Sequence, residues 1–256
     1  MKNDNKYEER IICFIDILGF KTKIDSTIDK EDDIVENINK INELLLLTRK
    51  ELDIEGNMKF SKSKIATQFS DSIVISFLAK EEGEIIYTLL DILTLIMKCV
   101  MKGFLIRGGI TLGKIIHNDK FIFGPGMNIA YELESEVANY PRVILDNTII
   151  EKAKECPFKY GNSRSEEESI MGIVSIDTDN MYYIDYINKA QQTLNYHDFD
   201  MPQYIERIKS IILENQKSKS ISIKNKTDWL INKYNNFVES TIEKDNLCKL
   251  RKEGEL

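Results

Sequence analysis

Apolar positions along the chain follow two rhythms. Residues 10–15, RIICFI, form a continuous apolar run, closed by Asp16 and, after Ile17 and Leu18, by the Gly19–Phe20 pair. A run of this length bounded by an acid and a glycine predicts a buried strand. From Asp32 to about Glu51 the period lengthens, with Ile34, Ile38, Ile41, Leu44 and Leu45 at helical spacing, so the connection that follows is a helix. KIATQF and SIVISFL then flank Ser70 and Asp71, two β-rich runs around a polar pair, which predicts a hairpin with Asp71 at its tip.

Residues 84–101 form the most apolar segment, interrupted by Asp91 and Lys98 and shorter than the roughly 20 residues a bilayer requires, so it predicts a buried helix. GFLIRGGITLGKII is β-rich, with glycines that permit bending or close approach of a ligand. FIFGPGMNIAYELESEVANYPRVIL reads as strand, Gly-Pro-Gly turn, helix and strand. The resulting order is close to the split βαβ arrangement of ferredoxin-like folds, which sets the first strand beside the hairpin in one antiparallel sheet. The class expected is α+β, an antiparallel sheet flanked by helices. KYGNSRSEEES predicts an exposed loop, and Ile170 to Ile187 a second hairpin around DTDN. From Gln203 onward apolar residues return to helical spacing, and KSKSISIKNK is expected to separate one helix from the next. The chain divides on this reading into a core of residues 1–190 and a helical extension of 191–256.

Composition narrows the chemistry. With 256 residues, 42% of them hydrophobic, the chain can bury a substantial core. A net charge of −7 and a pI near 5.2 argue against a sequence-independent grip on nucleic acid. The polar start, MKNDNKYEER, has no signal-like apolar stretch after it, so a cytoplasmic protein without a membrane partner is expected. Four scattered cysteines suggest neither zinc nor a disulfide framework, and two histidines are too few for a multi-histidine metal site. Any metal would be held by carboxylates, which favours a hard ion such as magnesium or manganese.

Asp16 and Asp71 are the candidates for that role, since the inferred topology puts the strand end and the hairpin tip side by side. A divalent ion between them would neutralise a triphosphate and activate a hydroxyl. The alternative is that each acid merely caps a turn.

FIDILGF, FSDSIVIS, the RGGITLG run and GPGMNIAYELE occur in this order, and together, over about residues 10–187, the chain resembles the catalytic domain of the class III nucleotide cyclases. The closest resemblance is to the pyrimidine cyclases of the Pycsar antiphage system, in which an RGG strand, an AYELE helix and a YPR segment follow the two acids. The resemblance implies a class III cyclase fold and two Mn2+ or Mg2+ ions per site, on Asp16, Asp71 and the backbone carbonyl of Ile17. It implies a homodimer with composite active sites, in which Asn128 positions the ribose; the alternative for Asn128 is a turn or helix-start residue. Phe20 falls among the substrate-binding positions.

Two departures qualify what the resemblance implies. The arginine that typically follows the asparagine by four residues is replaced by Glu132, so another cation must serve the transition-state phosphate or the domain is inactive. Arg142 and Arg107 are the candidates, because guanidinium matches phosphate oxygens in a bidentate way; the alternatives are a surface ion pair for Arg142 and a dimer or sheet-edge contact for Arg107. At the base-reading positions stand Thr67 and Phe121 in place of the residues of the purine enzymes, which suits a uracil or cytosine. The function implied is conversion of UTP or CTP to its 3′,5′-cyclic monophosphate and pyrophosphate, a second messenger for a downstream effector in antiphage defence. An adenylate or guanylate cyclase, or an inactive nucleotide-binding module, are the alternatives.

Overall fold

The computed structural model describes residues 6–25, 27–28, 34–52, 63–158, 165–190 and 200–253, with side chains described as far as residue 241. The first strand, β1 (Glu8–Leu18), gives way at Gly19, whose φ of 78° is a left-handed turn open to glycine, and the chain enters a short helix α1 (Phe20–Asp25). Helix α2 (Ile34–Glu51) leads to the hairpin β2 (Ile65–Phe69) and β3 (Ser72–Leu78), then to α3 (Glu84–Met101) and the long strand β4 (Leu105–His117). β5 (Ile122–Phe123), α4 (Pro125–Glu132), a π-helical turn (Leu133–Val137) and β6 (Val143–Leu145) follow. α5 (Asn147–Glu155), α6 (Glu166–Met171), the hairpin β7 (Val174–Ile176) and β8 (Tyr182–Ile184), and two C-terminal helices, α7 (Met201–Gln216) and α8 (Ile221–Glu253), complete the order.

The strands run β2-β3-β1-β4-β6-β8-β7 across one sheet, with β5 paired to β4. β1 is antiparallel to both β3 and β4, and among the described residues the β4–β6 pair alone is parallel. This is the α+β class expected, with the first strand beside the hairpin as the order of elements predicts, although the parallel pair makes the sheet mixed where an antiparallel one was expected. The break between the last two helices lies at residues 217–220, so ISIKNK belongs to α8. The polar run before residue 170 is not all loop: its SEEES end is helix α6, begun by Ser165, whose Oγ accepts from the Glu168 amide at 3.1 Å. The earlier stretch of that run, residues 159–164, lies outside the described residues, as do 191–199 with His197.

Alternation along β1 divides the molecule. Ile11, Cys13, Ile15 and Ile17 point into the main core with Ile73, Ile75 and Phe77 of β3 and the buried face of α3. Tyr204, Ile208 and Ile211 of α7 and Trp229 and Leu230 of α8 enter the same core, so the C-terminal helices are packed into the body. On the other face Ile12, Phe14, Val74 and Ile115 meet Ala130 of α4 in a much smaller cluster. The glycines of β4 set how closely α4 approaches. A Cβ on Gly113 would lie 2.6 Å from Gly126 Cα, and one on Gly109 would lie 2.5 Å from Leu133 Cβ. Their closeness therefore serves helix packing on the sheet. Among the described residues no helix is long and apolar enough to cross a membrane.

Candidate active site

Asp16 shares the second face with Arg10, Ile12 and Phe14, because side chains two apart on a strand point the same way. Its cross-strand partners are Ser72 on β3 and Arg107 on β4. Ser72 Oγ donates to Asp16 Oδ1 at 3.2 Å. One residue on, the Ile17 amide donates to the Asp71 carbonyl at 3.3 Å, which ties the hairpin turn to the end of β1 and brings the second acid to the first. Ser70, with φ of 56°, makes that turn in the left-handed region, a strained conformation for a residue with a Cβ.

The carboxyl of Asp16 is pushed up to about 6, first by burial and then by Glu134 and Asp71, against the opposing pull of Ser72 and Arg107. Asp71 and Glu134 are thus near enough for their charge to act on Asp16. Glu134, buried at 3% exposure on the π-helical turn, takes Arg107 in a close ion pair, Nε at 2.6 Å and Nη2 at 2.5 Å from Oε1. Burial raises the Glu134 carboxyl and Arg107 opposes that rise. Carboxylate oxygens suit a hard divalent cation, and burial first of all makes the Asp16 carboxyl reluctant to ionise without one. Asp16 and Asp71 would hold it, and the Ile17 backbone stands between them. Among the described residues no cluster of three or more histidine, cysteine or acidic ligands occurs.

A second polar group lies toward the other end of the same face. Arg10 Nε donates to Ser76 Oγ at 2.9 Å, Ser76 Oγ is 2.8 Å from His117 Nδ1, and His117 Nε2 is 2.8 Å from Thr67 Oγ1. Burial and the Arg10 charge hold His117 down to about 4, so the imidazole is neutral at pH 7 and carries one ring proton. Arginine can only donate. Ser76 Oγ therefore accepts from Arg10, and with a second lone pair and one hydrogen it can meet either tautomer at Nδ1, while Thr67 takes the complementary role at Nε2.

The other expected site residues are distributed as follows. Asn128 lies exposed on α4, and Glu132 exposed at the end of that helix. Phe121 is 59% exposed at the β4–β5 turn, beyond the His117–Ile122 pair. The Phe20 side chain is buried among the core side chains on the opposite face from Asp16, where an aromatic after a tight turn closes the end of the core. Arg142 is wholly buried, bonded to Asp177 and Asp179, and lies 5.1 Å over the ring of Tyr140, an internal ion pair apart from Asp16 and Asp71. Asp177 in turn accepts from Trp229 Nε1 at 2.7 Å and pairs with Lys233 at 2.9 Å, which fastens α8 to the sheet.

Sequence reasoning passed over Ser72, His117, Glu134 and Lys226. Alternation was the available signal for Ser72, directly across from Asp16, and for His117, one of two histidines and placed at a strand end. Nothing in local spacing points to Glu134 or Lys226.

No protein-family model and no curated protein matches the chain. Among solved structures the chain is similar to the adenylyl cyclase CyaB from P. aeruginosa, at 13% identity over 70% of this chain and 94% of that one, with a TM-score of 0.45. It is similar to the monomeric guanylyl cyclase domain of the RhoGC fusion protein from the aquatic fungus Blastocladiella emersonii, at 14% identity over 70% and 96%, TM-score 0.44. A class III adenylyl cyclase-like ATP-binding protein from Pseudomonas aeruginosa is similar at 11% identity over 82% and 44%, TM-score 0.44.

Proposed function

We propose that the protein is a nucleotide cyclase that converts a pyrimidine nucleoside triphosphate, UTP ahead of CTP, to its 3′,5′-cyclic monophosphate and pyrophosphate. The observation that carries this reading is the meeting of Asp16 and Asp71 at the β1 end and the β2–β3 turn, tied by the Ile17–Asp71 backbone bond and set opposite Arg107. In the reaction the ribose 3′-oxygen forms a bond to the α-phosphorus, the bond from that phosphorus to the bridging oxygen breaks, and pyrophosphate leaves with the negative charge. Two divalent ions, magnesium or manganese, would neutralise the triphosphate and ease loss of the hydroxyl proton. Asp16 and Asp71 orient that end of the substrate, and Ser72 holds the Asp16 carboxylate in place.

Thr67 supports the choice of base. In this reading the Thr67 hydroxyl donates to the 4-carbonyl of uracil. Asn128, exposed on α4, is available to a second copy of the chain, in keeping with a homodimer whose sites draw on both subunits. The product would be a second messenger read by a separate effector in antiphage defence, and the core of residues 1–190 would carry the turnover.

Incubation with all four nucleoside triphosphates and manganese, read by mass spectrometry, tests the reading. Cyclic UMP is the expected main product, and Asp16→Ala and Asp71→Ala should each lower its rate by about a thousandfold or more. Cyclic AMP or GMP as the main product overturns the pyrimidine assignment; near-native turnover by either variant overturns the role of the acids. Mixed dimers of Asp71→Ala with Asn128→Ala should regain some of the activity if the site is shared.

A further inference from the structure

Helix α8 brings a cation to the edge of this site. Trp229 stacks on Tyr140 at 5.8 Å and 8°, meets Tyr183 edge-on, and bonds Asp177, while Lys233 lies 4.9 Å over the Tyr183 ring. This anchor fixes the first turns of α8 against the sheet. Between them remains a cleft of about 750 Å³, with Arg107 and Asn139 on the sheet side and Asn225, Lys226 and the rim acid Asp228 on the helix side. That volume lies within the range of sites that take small organic ligands.

Lys226 is the unusual member. Its side chain is half-buried, its ammonium donates to Ser222 Oγ at 2.9 Å one turn back on the same helix, and among the described residues it forms no ion pair. Burial and the Arg107 charge hold its pKa down, while Asp16 and Glu134 push it up, so it shares one electrostatic neighbourhood with the candidate site. Arg107 is already neutralised by Glu134. A half-buried ammonium without a counter-ion, beside polar amides and at the mouth of a cleft, is a place prepared for an anion.

We infer that this cleft is a polyphosphate site, in which Lys226, supplied by the chain's own C-terminal helix, holds the anionic tail of the substrate beside Asp16. The identity of that substrate rests on the cyclase reading; the anion site does not. It gives the site a cation where Glu132 offers none and Arg142 is locked in the α8 anchor.

Titration calorimetry with inorganic tripolyphosphate tests the site without turnover. Wild-type protein should bind, Lys226→Gln should bind about tenfold to a hundredfold more weakly, Lys226→Arg should stay near wild type, and Lys219→Gln, altering an exposed lysine between the two helices, should change nothing. Lys226→Met keeps the aliphatic stem and replaces the Gln variant if thermal unfolding shows that variant to be misfolded. Failure of the wild type to bind, or equal binding by the charge-deleted variant, overturns the inference. If no nucleoside triphosphate is cyclised but tripolyphosphate binding still depends on Lys226, the site stands and the cyclase reading falls. If turnover is normal and the KM of the charge-deleted variant is unchanged, the cyclase reading stands and the site falls; a raised KM with a smaller change in kcat supports the site.

Discussion

The two faces of the sheet are made by the same strands and do different work. On the α3 face, Ile11, Cys13, Ile15 and Ile17 alternate into a continuous apolar core, and burial raises the thiols of Cys13 and Cys99 to about 12, which leaves them inert. On the α4 face the intervening positions, Arg10, Ile12, Phe14 and Asp16, pass from a buried cation through a small apolar patch to a half-buried acid. Polar groups there are paired at close range, as Arg10 with Ser76 and His117 with Thr67, or made reluctant to ionise by burial, as Asp16 is. A face of that kind costs stability that the other face must supply, which is why the proposed chemistry is looked for there.

The sharpest break in this division is Arg142, a charge embedded where the sheet meets α8. Arg142→Ala leaves Asp177 and Asp179 without their guanidinium, and breaking a buried pair on one side costs about 3–5 kcal/mol. Denaturant unfolding should show that loss, and loosening of α8 should weaken tripolyphosphate binding as well. A variant of near-native stability would show that Lys233 and Trp229 hold the anchor alone.

His117 provides the next test, through pH. Its pKa falls from 6.5 to about 4 in the fold, so as pH drops the unfolded chain takes up a proton first. The stability tied to neutral His117 is complete above pH 6.5 and is lost as pH falls toward 4, by at most about 3 kcal/mol. His117→Gln should flatten that acid slope in unfolding curves taken from pH 7 to 4. An unchanged slope would mean that the imidazole titrates alike in the folded and unfolded chain, and that its burial beside Arg10 does not hold it neutral.

A smaller effect is expected at Gly109, where α4 sits tightly on β4. Gly109→Ala inserts a Cβ against Leu133 Cβ and the Ala130 carbonyl, and overpacking of this sort costs about 1–3 kcal/mol. The thermal midpoint should drop, and turnover should fall with it because Glu134 follows on the same turn.

How far these features could be read from the chain depended on whether they were local. RIICFI, SIVISFL and the α3 segment carry their structure in their own periodicity, and Asp16 and Asp71 stand out because each interrupts such a run. The RGG glycines were legible as a close approach of a ligand, although what approaches Gly109 is α4 and its following turn, and what approaches Gly108 is β1 and β6. The burial of Arg142 was not legible because its two acids come 35 and 37 residues later, on the far hairpin, nor that of the Phe20 side chain, because an aromatic after a turn looks alike whichever face it fills. Lys226 shares a cleft with Arg107, more than a hundred residues away in sequence, a juxtaposition that the docking of α8 creates.

The finest test of the two-face comparison is Asp16 itself, in metal-free protein. Its carboxyl rises from 3.8 to about 6 on folding, so as pH climbs the unfolded chain loses its proton first and the fold carries a growing penalty between those values. Above pH 6 the penalty is complete, and because the group is partly open to solvent it amounts to only about 1 kcal/mol. Asp16→Asn removes the charge and keeps the shape, so it should raise the thermal midpoint by a few degrees at pH 7.5 and by nothing near pH 4. Saturating manganese should lift the wild-type midpoint and leave that of the variant in place, since only a ligand that binds the folded state stabilises it. If Asp16→Asn is instead less stable at pH 7.5, the acid belongs to the structural network of its strand, and the division between a face that holds the fold and a face that serves chemistry does not pass through this residue.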